Sequence, residues 1–419
     1  MSPATCPFTP SRPFADDFVR DPYPALALAR QQEPVYWLEE LQAWVVTRYK
    51  DVRAVLRDTT NFSNANAQRP LFPICTEALE ILRAGGFAPA LLTTSDGAVH
   101  ARLRAHLVAS MALTPARLAE IEPLVANAAN GRIDGFATQG RADLVEALIY
   151  RLPAQIIFDL IGFPAEDHGQ LQAWCANRLL MFWGQTTAEE QVANARAMIA
   201  YWQYCLAFVE ACAATMATGE PLSHLAAALL RNAADLPEPL SHQEIAGILF
   251  GLVFAGQETT AGLMASSVRL LLQDRSRWDA LLRDRSLLNG VVEEALRLEP
   301  SIMAWRRIAT RPVDVGGVVI PAGAQLILHL GSAGHDELTF QDAEQFDPQR
   351  ANAARHLAFG FGAHFCVGAT LARLEIRVLL ATLLDRLPSL RLDPAAQDFG
   401  YVPNLSFRGP TRLMVAWEG

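Results

Sequence analysis

The sequence predicts a mainly α-helical protein with small peripheral β-sheets. Apolar residues recur at helical spacing through most of the chain, whereas β-branched runs flanked by Gly and Pro occur in only a few short stretches. The chain has 419 residues, of which 51% are hydrophobic, so it can bury a large core. No Ser/Gly-rich linker, charge run or repeat divides it, and we therefore predict a single domain over residues 1–419.

The helices are predicted where apolar residues lie three and four positions apart. The longest helix begins at Ser241, which forms a capping box with Glu244, and at 1.5 Å per residue it spans roughly 45 Å. Gly251, Gly256 and Gly262 within it each cost up to about 1 kcal/mol relative to Ala, so we expect them to serve close approach or bending. The segments with helical spacing are 21–31, 50–57, 115–138, 189–217, 242–273 and 287–298.

Strands are predicted in three places, each short and bounded by turn residues. The stretches 34–47 and 313–330 carry β-branched and aromatic runs beside Gly and Pro, and the tail after residue 400 has a similar composition. These strands are too few to form the main architecture, so they are expected at the periphery.

Composition excludes several classes of protein. A net charge of −9 and a pI near 5.5 argue against a nucleic-acid-binding surface. The N-terminus has no signal-peptide pattern, and the apolar stretch 245–256 is too short for a bilayer and is followed by Gln257 and Glu258. We therefore predict a cytoplasmic, monomeric protein without nucleic-acid or membrane partners.

The cysteines are scattered, without the paired spacing of a disulfide framework or a zinc site. We assign five of them to packing: Cys6, Cys75, Cys175, Cys205 and Cys212. The exception is Cys366, in FGFGAHFCVG (residues 359–368), which lies just before a strongly amphipathic helix.

This segment suits a metal-binding thiolate. A helix N-terminus stabilises a thiolate through its free N–H groups. Gly360, Gly362 and Gly368 permit tight turns and leave room for a flat ligand, and Phe359 can shield the sulfur. Haem iron uses a single thiolate as its axial protein ligand. Two other interpretations stay open: a buried packing cysteine, and a nucleophile paired with His364.

The segment AGQETT (residues 255–260) places polar groups in the middle of the longest helix. Leu252, Ala255, Gly256 and Thr259 share one helix face, where small residues would let a planar cofactor approach. Thr259 offers a hydroxyl to a bound diatomic, and Glu258 offers a titratable carboxylate. The alternative is that Thr259 bonds back to its own helix and Glu258 is only solvated.

A third motif is Glu294-x-x-Arg297, whose two side chains share a helix face and can pair. The pattern is weak alone, because most such pairs are exposed. FDPQR (residues 346–350) adds a second arginine, Arg350, so a buried ionic cluster is expected.

Together, in this order and spacing, the motifs resemble the cytochrome P450 family across essentially the whole chain. The resemblance implies the P450 fold, with Cys366 as the axial ligand of haem b (iron protoporphyrin IX) and Glu258 and Thr259 in oxygen activation. It implies a structural triad of Glu294, Arg297 and Arg350. It also implies haem-propionate binding by basic residues in the segments DGAVHARLR, RRIAT and FGFGAHFC, namely His100, Arg104, Arg307 and His364.

The resemblance implies a monooxygenase that uses O2 and NAD(P)H-derived electrons. The chain has no flavin or nicotinamide motif, so electrons must come from ferredoxin and ferredoxin reductase or from a reductase domain. We expect Arg102, Arg373 and Arg377 to face an acidic redox partner. The alternatives are a peroxide-driven peroxygenase and a non-catalytic haem-binding sensor.

Several segments are similar to the haem domain of bacterial self-sufficient P450s, which are fused to a flavin and iron–sulfur reductase: AWCANRLLMFWG, SIMAWRRIAT and SFRGPTRLMVAW. One departure is SAGHD (residues 332–336), where the family commonly has AANRD. The substrate is expected to be small and mostly apolar, with aromatic compounds included. The residues predicted to line its pocket are Leu252, Ala255, Ile302, Met303, Ala304 and Met181.

Overall fold

Helices dominate the computed structural model, as predicted. The structure describes residues 13–176, 178–236, 238–396 and 398–418. The helices are α1 (Asp16–Arg20), α2 (Tyr23–Gln32), α3 (Tyr49–Arg57), α4 (Thr76–Ala84), α5 (Gly97–Met111), α6 (Pro115–Asp134), α7 (Leu152–Ile161), α8 (His168–Cys175), α9 (Arg178–Trp183), α10 (Ala188–Ala217), α11 (Leu225–Asp235), α12 (His242–Leu272), α13 (Arg275–Arg283), α14 (Leu288–Leu298), α15 (Leu330–Gly334) and α16 (Ala369–Arg386).

The strands are short, again as predicted. They are β1 (Val35–Leu38), β2 (Ala43–Val46), β3 (Phe62–Ser63), β4 (Arg141–Asp143), β5 (Ala304–Ala309), β6 (Val313–Val315), β7 (Val318–Ile320), β8 (Gln325–His329), β9 (Arg391–Leu392) and β10 (Met414–Ala416). They form a five-stranded sheet of order β1-β2-β8-β5-β3, a three-stranded sheet β4-β10-β9 and the hairpin β6-β7.

Strand β5 is a central strand that the sequence analysis missed. It pairs antiparallel with β8 and with β3, while β8 also pairs in parallel with β2. Arg306 and Arg307 interrupt its apolar alternation, yet both are only 2% exposed. A strand pattern based on apolar alternation cannot identify a strand that buries two arginines.

The described residues form two compact units. Unit 1 contains those of Met1–Ala67, Ile121–Leu152 and Thr259–Gly419, and unit 2 contains those of Gln68–Glu120 and Pro153–Glu258. All the strands named above lie in unit 1, whereas the elements of unit 2 are helical. The single domain expected from the sequence stays a prediction.

Helix α12 begins as the capping box predicts. The amide of Glu244 donates to Ser241 Oγ at 3.2 Å, and the amide of Ser241 donates to Glu244 Oε2 at 2.9 Å. A second capping box, formed by Thr187 and Glu190 at the start of α10, was not anticipated. Both satisfy amide groups that a helix start would otherwise leave unpaired.

The glycines of α12 differ in the space around them. A Cβ at Gly262 would lie 2.9 Å from the carbonyl oxygen of Arg408, and one at Gly256 would lie 3.2 Å from Ile157. At Gly251 the nearest atom, in Leu91, would be 3.6 Å away, which is an ordinary contact distance. Close approach is therefore confirmed for two of the three glycines.

Helices α10 and α12 are long and apolar enough to pass a length-and-composition test for membrane spans. In α12, 61% of the apolar window is buried inside the protein, against 33% in α10. Core helices of globular proteins pass the same test, so the result is weak evidence for a membrane segment.

Candidate active site

Cys366 lies between a tight turn and the start of α16, as predicted. The short 3₁₀ turn Gly362–His364 precedes it, and α16 begins three residues after it. Gly360 and Gly362 have φ values of +71° and +75°, in the left-handed region that favours glycine. The amide of Cys366 donates to the carbonyl oxygen of Phe359 at 3.0 Å, which closes the loop around the cysteine.

The exposure of Cys366 separates it from the other cysteines. Cys366 is an exposed residue, whereas Cys175, Cys205 and Cys212 are buried, which confirms packing roles for those three. Cys75 is half-buried, and Cys6 lies outside the described residues. A Cβ added at Gly368 would lie 3.9 Å from Cys366 Sγ, so this glycine leaves space open beside the sulfur.

Phe359 is held by an ionic cluster on α14 and α16. The guanidinium of Arg373 lies 4.6 Å from the Phe359 ring centroid and donates to Glu293 at 2.5 and 3.0 Å. His356 Nε2 also bonds to Glu293, at 3.2 Å. Burial alone would raise the pKa of Glu293, but hydrogen bonds from His356 and Arg373 and their charges lower it to about 2. Glu293 is therefore ionised, and the sequence analysis missed this cluster.

Unit 1 holds two of the predicted propionate-binding residues. Arg307 is buried in β5, and its Nη1 donates to the carbonyl oxygen of Arg306 at 2.8 Å. His364 is half-buried, with Nε2 2.8 Å from Asn64 Nδ2. The basic character expected near a carboxylate is present in both segments.

Unit 2 holds the other two, His100 and Arg104, one turn apart on α5. His100 is buried and Arg104 is half-buried. Burial, and then the charge of Arg104, lower the pKa of His100, while Asp96 acts in the opposite direction. His100 is therefore a neutral imidazole at neutral pH and can donate a hydrogen bond to a carboxylate.

The AGQETT segment lies within α12, which is helical throughout. Ala255 is exposed, and Leu252, Gly256, Glu258 and Thr259 are half-buried. The neighbouring Gln257 and Thr260 are buried, at 1% and 4% exposure. The helix thus presents its small residues, with Thr259, on its accessible side.

The triad residues form the buried ionic cluster expected from the sequence. Arg297 donates to both oxygens of Glu294, at 2.6 and 2.8 Å, and Arg350 Nε lies 3.1 Å from Glu294 Oε1. Arg297 also donates to the carbonyl oxygens of Gly334 and Ala343. These bonds tie α14 to the end of α15 and to the segment that leads from α15 to the cysteine loop.

The SAGHD departure has a structural basis. A Cβ at Gly334 would lie 2.0 Å from the carbonyl oxygen of Arg297, so only glycine fits there. His335 is 3% exposed; its Nε2 lies 2.9 Å from the carbonyl oxygen of Leu298, and its Nδ1 lies 2.8 Å from Glu344. His335 thus supplies hydrogen bonds in place of the arginine common in the family.

The predicted substrate residues differ in accessibility. Three of them, Met181, Met303 and Ala304, are only 3%, 5% and 0% exposed, whereas Leu252 and Ile302 are half-buried and Ala255 is exposed. Met303 packs against Gly331, and its sulfur accepts a hydrogen bond from Tyr23 at 3.8 Å. Met303 therefore contributes to the core of unit 1, and pocket lining stays a prediction for all six residues.

The arginines expected to face a redox partner are already paired within the chain. Arg102 pairs with Glu244, and Arg373 pairs with Glu293. Arg377 lies 2.9 Å from Glu122. Each of them thus has a carboxylate partner within the chain, and their contact with a redox partner stays a prediction.

The donor groups of unit 1 fit haem. Among the described residues, no group of three or more His, Cys, Asp or Glu side chains is placed to hold a metal ion. A single cysteine thiolate, as Cys366 could supply, is the protein ligand typical of haem-thiolate iron. An exposed cysteine beside a glycine suits a flat ligand, and Arg307 and His364 suit the carboxylates of that ligand.

Comparison with known proteins agrees with a haem-binding site. The family model for cytochrome P450 matches residues 269–394. The chain is 35% identical over 410 residues to the cytochrome P450 monooxygenase PikC of Streptomyces venezuelae, covering 96% of this chain and 92% of that protein.

Solved structures give the same result. The haem domain of Acinetobacter radioresistens CYP116B5 superimposes with a TM-score of 0.90 at 34% identity, covering 97% of this chain and 96% of that one. An intact type IV self-sufficient cytochrome P450 monooxygenase gives a TM-score of 0.93 at 35% identity, covering all of this chain and 54% of that one. The predicted resemblance to self-sufficient P450s is thus confirmed, and this chain belongs to the cytochrome P450 family: it is a haem-dependent monooxygenase that uses O2 and electrons from a redox partner.

Proposed function

We propose that the protein inserts one oxygen atom from O2 into a small, mostly apolar substrate, by hydroxylation or oxidative dealkylation. The observation that carries this proposal is the exposed residue Cys366, in a glycine-shaped loop just before the start of α16. When bound there, haem supplies the oxygen-activating chemistry, and electron donation from its thiolate ligand favours O–O cleavage. Cys366 is assigned as that ligand.

Thr259 and Glu258 are assigned to proton delivery. Both are half-buried on α12, and they are adjacent in the chain. The Thr259 hydroxyl orients a proton toward the reacting oxygen, and Glu258 exchanges protons with water, which is a general-acid role. Ala255 and Gly256 keep this side of the helix low enough for a flat cofactor.

His100, Arg104, Arg307 and His364 are assigned to the haem carboxylates. Two of these side chains, His100 and Arg307, are buried at 5% and 2% exposure. A buried carboxylate needs paired charge and hydrogen-bond donors, which these groups can supply. Phe359, Gly360 and Gly368 are assigned to the shape of the loop around the sulfur.

The substrate assignment rests on the accessible candidates Leu252, Ala255 and Ile302. All three are apolar, and none of them is fully buried: Leu252 and Ile302 are half-buried and Ala255 is exposed. Such a lining favours substrates that are neutral and mostly apolar, aromatic ones included. Titrating the ferric protein with aromatic, aryl-ether and fatty compounds tests this class. A low-to-high-spin change of the Soret band with one class identifies it, and no change with any of them contradicts the assignment.

Electrons are proposed to arrive from NAD(P)H through a ferredoxin and its reductase, or through a reductase domain. Fused relatives show that a domain of this family can work with a covalently attached reductase. We also propose that the protein acts in the cytoplasm as a monomer.

The direct test of the haem assignment is Cys366→Ser, with Cys75→Ser as the matched control. In the wild type and the control, the reduced carbonyl complex should show the Soret band of thiolate-ligated haem. In Cys366→Ser this band should be absent and turnover should fall at least about 100-fold, because the alcohol is a far weaker donor than a thiolate. A thiolate-type band in Cys366→Ser would overturn the assignment.

A further inference from the structure

A buried asparagine lies beside a residue that the proposed function assigns to haem. Asn64 is 0% exposed, and its Nδ2 is 2.8 Å from His364 Nε2. Both residues belong to unit 1. Asn64 follows β3 directly, and His364 closes the 3₁₀ turn that precedes Cys366. Two segments distant in sequence are thus joined by one side-chain hydrogen bond.

The turn that carries Asn64 is anchored at both ends. β3 pairs with β5, and the amide of Ala67 donates to the carbonyl oxygen of Asn64 at 2.8 Å. Asn66, also 0% exposed, donates to the carbonyl oxygen of Arg307 at 3.0 Å. A turn fixed to β5 in this way holds the Asn64 amide in one place.

The turn that carries His364 is fixed as well. Gly362 has φ +75°, and a Cβ on it would lie 3.2 Å from the carbonyl oxygen of Leu56 and 3.3 Å from the Cα of Arg57. The 3₁₀ turn therefore packs closely against the end of α3. With both turns immobilised, the Asn64–His364 bond joins two rigid supports.

The geometry of this bond fixes the orientation of the imidazole. Asn64 is buried, and its Nδ2 lies 2.8 Å from His364 Nε2. Rotation of the ring would break this hydrogen bond, so the bond holds the ring in one orientation.

We propose that Asn64 is a positioning residue that holds the His364 ring in the orientation from which it contacts a haem carboxylate. The inference rests on the proposed assignment of His364 to a haem propionate. Asn64 acts through His364, because its amide is engaged with the ring. It extends the haem-holding residues to a part of the sequence that no motif identified.

The test measures haem release to excess apomyoglobin from wild type, Asn64→Ala and Asn64→Leu. Leu has nearly the shape of Asn but cannot donate, so it separates loss of the donor from loss of packing. Both variants should release haem about 3- to 10-fold faster, as expected when one hydrogen bond is lost. Asn61→Leu, which removes an asparagine bonded to Asp58 and Arg311 instead, is the matched control and should leave the release rate unchanged.

Two further measurements distinguish positioning from a general effect on the fold. The same variants are reconstituted with haem dimethyl ester, which lacks the ionised carboxylates. Their rate of release of this ester, divided by the wild-type rate, should be close to 1. In a His364→Gln background, Asn64→Leu should not increase the rate of haem release any further. Three results would each overturn the proposal. The Asn64 variants could release haem and its dimethyl ester with the same acceleration, Asn64→Leu could speed haem release fully in the His364→Gln background, or Asn64→Leu could release haem as slowly as wild type.

The carbonyl-complex spectrum separates this inference from the proposed function. If wild type and Asn64 variants all show the thiolate-type band, Cys366 keeps its assignment whatever the release rates are. If that band is absent from the wild type, the thiolate assignment fails, and the comparison of haem with its dimethyl ester still decides the role of Asn64.

Discussion

The cysteine region and the pocket region of this P450 are held in place by different forces. The cysteine region, defined here as α14 with residues 342–373, is fixed by the ion pairs of Glu293 and Glu294 with three arginines. The pocket region, defined as residues 69–94 with the first half of α12, contains a cluster of packed aromatic rings. The ring centroid of Phe250 on α12 lies 5.4 Å from that of Phe87 and 6.0 Å from that of Trp202 on α10.

The difference is consistent with the roles proposed for the two regions. Buried ion pairs demand fixed partners and fixed distances, so they hold a ligand-bearing loop in one position. Apolar packing depends on volume and shape, and it tolerates replacement of one side chain by another of similar size. A constant cofactor is thus assigned to the polar region and a variable substrate to the apolar one.

The largest expected effect comes from removing the central charge of the cysteine region. Glu294→Gln leaves Arg297 and Arg350 buried without a counter-charge, and should lower the free energy of unfolding by about 3–5 kcal/mol. Denaturant unfolding of the haem-bound protein measures this. Glu120→Gln, which removes an exposed partner of Arg117, should change it by less than about 1 kcal/mol. Equal effects of the two substitutions would refute the contrast between buried and exposed pairs.

A second prediction uses acid to weaken the cysteine region selectively. The pKa of Glu293 is lowered from 4.5 to about 2, so the stability it contributes is present above pH 4.5 and is lost as the pH falls toward 2. That pKa shift corresponds to a contribution of about 3 kcal/mol to the free energy of unfolding at neutral pH. Glu293→Gln should be less stable than wild type at pH 7, and the difference should shrink as the pH is lowered from 5 to 3.

The control for this experiment is again Glu120→Gln, whose difference from wild type should stay near zero over the same range of pH. A constant difference between Glu293→Gln and wild type from pH 7 to pH 3 would show that the carboxylate does not carry this stability.

The next prediction concerns Thr259 on α12. Thr259→Ala removes the hydroxyl that orients the proton, so electrons should be diverted into free peroxide. The ratio of product formed to NADPH consumed should fall about tenfold or more, while the thiolate-type spectrum stays unchanged. Thr260→Ala, which alters a neighbouring threonine that is 4% exposed, is the matched control. If Thr259→Ala forms as much product per NADPH consumed as wild type, Thr259 has no role in proton delivery.

The same contrast explains what could be predicted from the sequence. The positions of Cys366, the α12 motif and the Glu294 triad were predictable, because thiolate, hydroxyl and ionic chemistry need particular residue types at fixed spacing. The helix bounds followed from apolar periodicity, as in α14, predicted at 287–298 and found at Leu288–Leu298. Family resemblance then supplied the cofactor.

Other features depend on tertiary contacts that no local pattern contains. Strand β5 buries two arginines, and the Asn64–His364 bond joins residues 300 positions apart. The ion pair of Arg377 was missed for the same reason, because its partner Glu122 lies 255 positions away in the chain. A sequence shows that a residue is charged or polar, but its partner is decided by the fold.

The smallest expected effect is on stability and comes from alanine substitutions at two glycines of α12. Alanine at Gly251 meets only an ordinary contact with Leu91 at 3.6 Å, and removing a mid-helix glycine should stabilise the protein by up to about 1 kcal/mol. Alanine at Gly262 would instead meet the Arg408 carbonyl oxygen at 2.9 Å, and should cost about 1–3 kcal/mol. Denaturant unfolding of both variants measures the two changes.

Opposite signs for the two alanine variants would show that packing around α12 is loose in the pocket region and tight where the helix meets the backbone of the C-terminal tail. If Gly251→Ala is as destabilising as Gly262→Ala, the pocket region is as tightly constrained as the rest of the helix. In that case a rigid shape, rather than adaptable packing, would have to determine which substrates are accepted, because added volume could not be accommodated there.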